Sequence, residues 1–343
     1  MVLLTLGCMS GLVACPTNTT PILPVTSVPM VAPTVVSISP ANAATGVRAD
    51  AKIIVTFSQP MDQAATQAAY QSSDLPASSV GFTWDASSTV LTVKPNAPLE
   101  YAKGTTISIE PKSYAFTLTG AAKDKSGSPF VTLTSSFTTL REITLSLPSQ
   151  EKLDGSIVFT DAGHSKIDLL IVGDDFYNFR YRSFLSFDLS GVPNVPSSSN
   201  LLRATLRLFK NRREGDPYLN LNPSTCDGTG TVQCDQYTTL NLDHVNYGLS
   251  LDQTDFYTPT LAVLGAIDNL YVVVKSYVQA DVLSAVRDDL ANRTTRENRS
   301  QYRLSFPLLT NSDNNNDLIQ FANENPVYAP ETRPSLLLEY QIP

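Results

Sequence analysis

Between Arg182 and Phe209 the chain reads RSFLSFDLSGVPNVPSSSNLLRATLRLF, and both ends of this stretch alternate apolar with polar residues. Ser183 to Leu189 and Leu202 to Phe209 therefore read as half-buried strands, because successive side chains of a strand point to opposite faces. Gly191, Pro193, Pro196 and the serine run 197–199 lie between them, so the connection is a long irregular loop and not a tight hairpin. Wide connections of this kind are typical of β-sandwiches.

The chain has 343 residues, too many for one ordinary sandwich, and a density of roughly 100 to 200 residues per domain predicts two. A hydrophobic fraction of 42% allows each a sizeable core, while generous Thr, Ser, Asn and Pro favour β-structure with many turns. The net charge of -8 and the pI near 4.8 oppose a nucleic-acid partner, since phosphate binding needs clustered Lys and Arg.

Residues 1–14 are an uncharged, largely apolar run that ends in Leu12, Val13 and Ala14 before Cys15. The run is too short to span a bilayer as a stable helix. The motif resembles the lipobox of bacterial lipoproteins, which implies a signal peptide over 1–14, lipidation of Cys15 and a place in the bacterial cell envelope, at the outer membrane or cell surface. Residues 15–33 carry prolines at 16, 21, 24, 29 and 33, with Thr and Ser between. That composition predicts an extended stalk, rising ~3.1 Å per residue in polyproline II geometry.

From residue 34 to 140 short β-type runs recur, at Ile53 to Phe57, Val90 to Val93, Thr106 to Ile109 and Val131 to Phe137. A helix is predicted at Asp62 to Tyr70, rich in Ala and Gln and opened by an acidic residue. The stretches SPANAATGVRADAKIIVTFSQPMD from Ser39, VLTVKP from Val90, AAKDKSGSPF from Ala121 and SSFTT from Ser135 resemble the bacterial immunoglobulin-like domain of surface-layer and envelope proteins. The resemblance implies a spacer or assembly module without chemistry of its own. Trp84, in GFTW, reads as a core aromatic, with ligand stacking as the competing role.

Residues 141–343 are again all-β in character. One helix is predicted from Ser276 to Leu290: Ser276 and Gln279 have capping-box spacing, Val278, Val282, Val286 and Leu290 recur every fourth residue, and Asn292 follows as a stop. The segments RSFLSFDLSGVP, LLRATLRLF, SYVQADVLSAVRDDL and RPSLLLEY together resemble the DNRLRE-type domain. That resemblance implies a jelly-roll sandwich with one short helix and an association with carbohydrate binding. The fold expected for the whole chain is thus all-β, an Ig-like sandwich followed by a jelly roll.

A serine or cysteine nucleophile needs a base, usually His, oriented by a third group. The chain has two histidines, His164 and His244, neither in a triad motif, and no Gly-x-Ser-x-Gly elbow. No catalytic residue is assigned. Asp313, Asn315 and Asp317 alternate as oxygen ligands do in calcium loops, and Glu324 stands where an EF-hand places its bidentate carboxylate. Against that, Leu318 takes the position that requires glycine, and a solvated polar loop is the competing reading. Asp174 to Tyr181 mix carboxylates, an arginine and aromatics just before a central strand. Sugar sites use such a mix, aromatic faces meeting C–H surfaces while polar groups satisfy hydroxyls. Tyr177, Phe179, Arg180 and Tyr181 are the candidate ligand-binding residues, against an arrangement that is half core aromatics and half turn.

Cys226 and Cys234 flank DGTGTVQ, whose glycines permit a tight reversal. In an exported chain they are expected to form a disulfide, with zinc as the alternative that lacks two further ligands. Three functional classes remain. The leading one is a lipid-anchored envelope protein that binds polysaccharide or a neighbouring surface-layer protein without catalysis. The others are a structural subunit of a surface layer and a sandwich-fold surface enzyme, either a lyase or metal-dependent.

Overall fold

The computed structural model describes residues 31–192, 200–221, 235–269, 271–307 and 309–343. Cys15, Cys226, Cys234, the leader and most of the stalk lie outside the described residues, as do Pro193 and Pro196. No helix among the described residues is long and apolar enough to cross a membrane.

Residues 34–140 pack two four-stranded sheets. One runs in the order Val35–Ser39, Ile53–Phe57, Val90–Pro95, Val80–Trp84, and the other Ala44–Val47, Leu133–Thr139, Ser113–Leu118, Tyr70–Gln71. One face of Ile53–Phe57 is inside: Ile53, Val55 and Phe57 are buried and Ile54 is exposed. Tyr114, Phe116 and Leu118 meet them from the opposing sheet. Burial of each such side chain stabilises the sandwich by ~1.5–3 kcal/mol. Trp84 stacks on Phe57 with centroids 6.0 Å apart, at the margin of this core. The helix forms over Gln63–Ala68, and the side chain of Asp62 caps it by accepting from the Ala65 N–H at 3.0 Å.

The stretch that ends at Asp62 and the stretch from Ala121 meet in space. Gln59 Nε2 donates to Asp124 Oδ2 at 2.6 Å, and the buried Met61 forms a β-bridge with Asp124. One expected strand is absent: residues 106–109 turn, and the strand lies earlier, at Ala102–Gly104. The apolar residues there serve the seam between the two sandwiches. Arg141 Nη1 donates to the carbonyls of Ile107 at 3.1 Å and Ile109 at 2.9 Å, and Ile109 packs against the second core. Ala102–Gly104 also pairs in parallel with Arg141–Ile143, so the sheet runs across the boundary.

The second sandwich is one long sheet curled on itself. Its path is Thr260–Asp268, Leu240–Val245, Arg299–Ser305, Arg180–Asp188, Leu170–Asp174, Asp317–Phe321, Leu201–Glu214, Ser335–Ile342, Arg141–Pro148. The two strands that opened the sequence reading do not pair with each other. They contribute to one shared core, Leu185, Phe187 and Leu189 from one, Ala204, Leu206 and Leu208 from the other. A smaller cluster around Phe184, Tyr247 and Phe256 includes residues of the hairpin Gly155–Thr160 and Gly163–Ile167.

The predicted helix is half strand. Ser276–Asp281 is extended and pairs with Leu201–Glu214, and the helix is confined to Leu283–Ala291 with Asn292 as its C-cap. A spacing of four, as from Val278 to Val282, keeps residues on one face in a strand as well as in a helix, so it does not discriminate between them. No capping box forms at Ser276, whose hydroxyl bonds the Val273 carbonyl instead. Asp281 accepts from the Leu283 N–H at 2.9 Å at the true start. Ala285 and Val286 bury one face of the helix against the core.

Candidate functional site

The turn between Leu170–Asp174 and Arg180–Asp188 is organised by one carboxylate, Asp175. Its Oδ1 accepts the N–H groups of Tyr177 at 2.9 Å and Phe179 at 3.0 Å, and its Oδ2 accepts the Tyr181 hydroxyl at 2.9 Å. Asn178 sits at φ 60°, a left-handed conformation that asparagine tolerates better than most residues. The Asn-rich loop buttresses this turn: Asn316 Oδ1 accepts from the Phe176 N–H at 2.9 Å, and Asn178 Nδ2 donates to Asn314 Oδ1 at 2.8 Å. Asp175 and Asn316 thereby satisfy backbone groups that a turn leaves open, and the side chains of Phe176 and Tyr177 face outward.

Phe176 is 57% and Tyr177 69% exposed. Their rings meet edge to face with centroids 5.5 Å apart, and Tyr177 leans on Phe179 at 5.6 Å. Two solvent-facing rings beside amide groups make a surface for C–H faces bordered by donors and acceptors.

The predicted ligand residues therefore divide. Tyr177 stands in the open, and Phe179 supports it from a half-buried position. Arg180 is drawn away, its guanidinium 4.7 Å from the Phe159 ring centroid. Tyr181 is half-buried and tied to Asp175, and burial followed by that bond holds its phenol above the usual range. Phe176 is the exposed partner that the reading of the sequence left unassigned. Its position one residue before Tyr177 in a turn was the available signal.

Beneath the turn lies a group of carboxylates. Asp174 and Asp317 are cross-strand partners and both are buried. Asn311 Nδ2 bridges Asp313 Oδ2 at 3.1 Å and Asp317 Oδ2 at 3.0 Å. Burial, reinforced by the charges of Asp317 and Asp313, lifts the Asp174 carboxyl to about 6, and its Oδ2 has no hydrogen-bond partner. Gly173, at φ 123°, lets the backbone pass this crowded point, where a β-carbon would overlap the Asp317 carbonyl oxygen. Of the four predicted calcium ligands, Asp313 and Asp317 share this group. Asn315 is exposed, its N–H donating to Asp313 Oδ1 at 2.8 Å. Glu324 lies seven residues beyond Asp317, past the far end of Asp317–Phe321, with Arg333 at 3.5 Å and the Ser149 hydroxyl at 3.3 Å. The predicted calcium ligands are therefore not gathered into one site: Asp313 and Asp317 lie beside Asp174, while Asn315 is exposed and Glu324 is elsewhere.

Among the described residues, the acidic and histidine side chains that do cluster with ligand-like spacing are His244, Asp288 and Asp289. Arg296 already supplies positive charge there, 3.0 Å from Asp288 and 3.6 Å from Asp289, and His244 Nε2 lies 2.9 Å from Asp289 Oδ1. His164 sits elsewhere, edge-on to Phe159 with centroids 4.5 Å apart.

The family model described as bacterial Ig-like domain matches residues 29–139, the first sandwich. No curated protein matches the chain. Among solved structures, an L,D-transpeptidase from Mycobacterium smegmatis is 12% identical with a TM-score of 0.24, over 46% of this chain and 76% of its own. Surface layer protein SbsC, domains 1-6, is 12% identical with a TM-score of 0.23, over 74% of this chain and 41% of its own. The SGBP-B protein of a Bacteroides ovatus mixed-linkage glucan utilization locus, in complex with a mixed-linkage heptasaccharide, is 13% identical with a TM-score of 0.19, over 83% and 51%.

Proposed function

We propose that this chain is a bacterial envelope lipoprotein whose Ig-like sandwich spaces a DNRLRE-type sandwich from the membrane, and that the latter binds polysaccharide without turning it over. The observation that carries the reading is the outward-facing pair Phe176 and Tyr177, held by Asp175 and flanked by Asn178, Asn314 and Asn316. The Ig-like family match and the lipobox-like Leu12 to Cys15 support a surface location. Stacking on one exposed ring is worth roughly 1–3 kcal/mol, so Phe176→Ala or Tyr177→Ala weakens binding about tenfold or more. Equilibrium binding to envelope and extracellular polysaccharides, with thermal melts of each variant, tests this. Lost binding at unchanged melting temperature is expected, and unchanged binding in both variants contradicts the reading. For the anchor, Cys15→Ser releases the protein from the membrane fraction, since stable attachment takes more than one acyl chain. Full retention contradicts it.

One observation favours a second reading, a structural subunit of a surface layer. Thr260–Asp268 ends the sheet path and exposes Leu261 and Val263, and such an edge is a template for pairing with another chain. Sedimentation of the purified protein over a concentration series separates the two: a monomer throughout removes the second.

A further inference from the structure

On the strand Leu201–Glu214 the inward residues are Ala204, Leu206 and Leu208, and then Lys210, so a lysine takes the next core position of an apolar series. Its side chain and that of Asp268 are both fully buried. Lys210 Nζ lies 2.9 Å from Asp268 Oδ2, and it donates to the Tyr218 hydroxyl at 2.8 Å and to the Val272 carbonyl at 2.8 Å. Tyr218 in turn donates to the same Oδ2 at 2.6 Å, and the Asn269 N–H donates to Oδ1 at 2.8 Å. Phe306 stands edge-on to Tyr218 at 5.5 Å and walls the group with an aromatic surface.

We propose that Lys210 and Asp268 condense to an intramolecular amide that ties the strand Leu201–Glu214 to the end of Thr260–Asp268. The two strands are not neighbours in the sheet path, so the bond spans the fold through its core. A low-dielectric site disfavours an ammonium and a carboxylate relative to the neutral amine and acid. Burial lowers the Lys210 pKa from the ordinary lysine range, in the same direction.

The step balances without a co-reactant. One proton passes from Nζ to Oδ2, leaving an amine and a carboxylic acid. The nitrogen lone pair then attacks Cγ, and the Asn269 N–H stabilises the negative charge that develops on Oδ1. The Cγ–Oδ2 bond breaks with its electron pair on oxygen. Tyr218 gives its hydroxyl proton to Oδ2 and takes one from Nζ, so Oδ2 leaves as water. The third ammonium proton remains as the amide N–H, facing the Val272 carbonyl.

The test is a mass measurement on the full-length protein, denatured, reduced and alkylated, followed by tryptic peptide mapping. The expected results are an intact mass lower by one water than the processed sequence requires, and a branched peptide joining the segments around Lys210 and Asp268. Full sequence mass in the wild-type protein overturns the proposal and leaves a buried ion pair. Lys210→Met and Asp268→Ala are each expected to restore the missing water. Tyr218→Phe keeps the packing but removes the relay, so uncross-linked chain is expected to accumulate. Complete cross-linking in Tyr218→Phe overturns the role given to that hydroxyl.

Discussion

Replacing Asp174 with asparagine tests the electrostatics under the aromatic turn. Asp174 is buried, its Oδ2 is without a partner, and burial lifts its carboxyl to about 6, well above the ordinary aspartate range. A carboxyl whose folded pKa is raised contributes its stability below the unfolded value, and that contribution is lost as pH rises through the folded one. The wild-type protein should therefore lose stability from this group between about pH 4 and 7. A shift of about 2 pH units corresponds to on the order of 3 kcal/mol. Asp174→Asn keeps the shape, removes the charge and lets an amide donate toward Asp313 and Asp317. Asp154, pushed up to about 8 by burial, changes stability with the same sign, so the observable is the difference between variant and wild type. Urea denaturation at half-unit steps from pH 4 to 8 measures it. The two proteins should agree near pH 4, and the variant should be the more stable by ~3 kcal/mol at pH 7.5. A difference curve flat across the range refutes the reasoning.

Asp175→Ala removes the acceptor of two backbone N–H groups and one hydroxyl, and should cost about 2 kcal/mol in urea denaturation while also abolishing polysaccharide binding. Gly173→Ala forces a β-carbon onto the Asp317 carbonyl at a left-handed φ and should destabilise by about 2 kcal/mol or more, whereas Gly127→Ala, at positive φ with open space around it, should cost about 1 kcal/mol; thermal melts of both rank them. Thiol titration of the denatured, unreduced mature protein should find Cys226 and Cys234 paired, and two free thiols would contradict the pairing.

Where one physical rule governed a segment, the sequence was enough. Short β-type runs between turn residues marked Ile53 to Phe57 and Val90 to Val93, where strands form, and the acidic residue before a run of Ala and Gln marked the helix Gln63–Ala68. Where two rules share a signature it was not. Val278 and Val282 fit a strand and a helix equally, and only pairing with Leu201–Glu214 decides between them. Ile107 and Ile109 alternate as a strand does, yet their carbonyls are taken by Arg141 from beyond the boundary. In the candidate site, the mixture of aromatics and acids from Asp174 to Tyr181 was legible, but the division of labour was not. Sequence spacing cannot show that Arg180 turns onto Phe159 or that Tyr181 bonds Asp175. Glu324 was grouped with Asp313 by loop arithmetic, and a strand carries it to the other end of the sheet. Lys210 was visible in principle as the inward residue after Leu206 and Leu208, because alternation applies to a charged residue as it does to an apolar one.

Saturation-transfer NMR on the full protein with a soluble envelope polysaccharide tests the central claim most directly, because it asks whether sugar C–H groups lie against aromatic rings. Irradiating ring protons should transfer magnetisation to the sugar in the wild type, and the transfer should vanish in the Phe176→Ala/Tyr177→Ala double variant while remaining in a Tyr257→Ala control, which removes another exposed ring, 62% accessible, from a separate aromatic cluster. Transfer undiminished in the double variant, or lost only in the Tyr257→Ala control, would contradict the assignment of the Phe176 and Tyr177 turn as the binding surface.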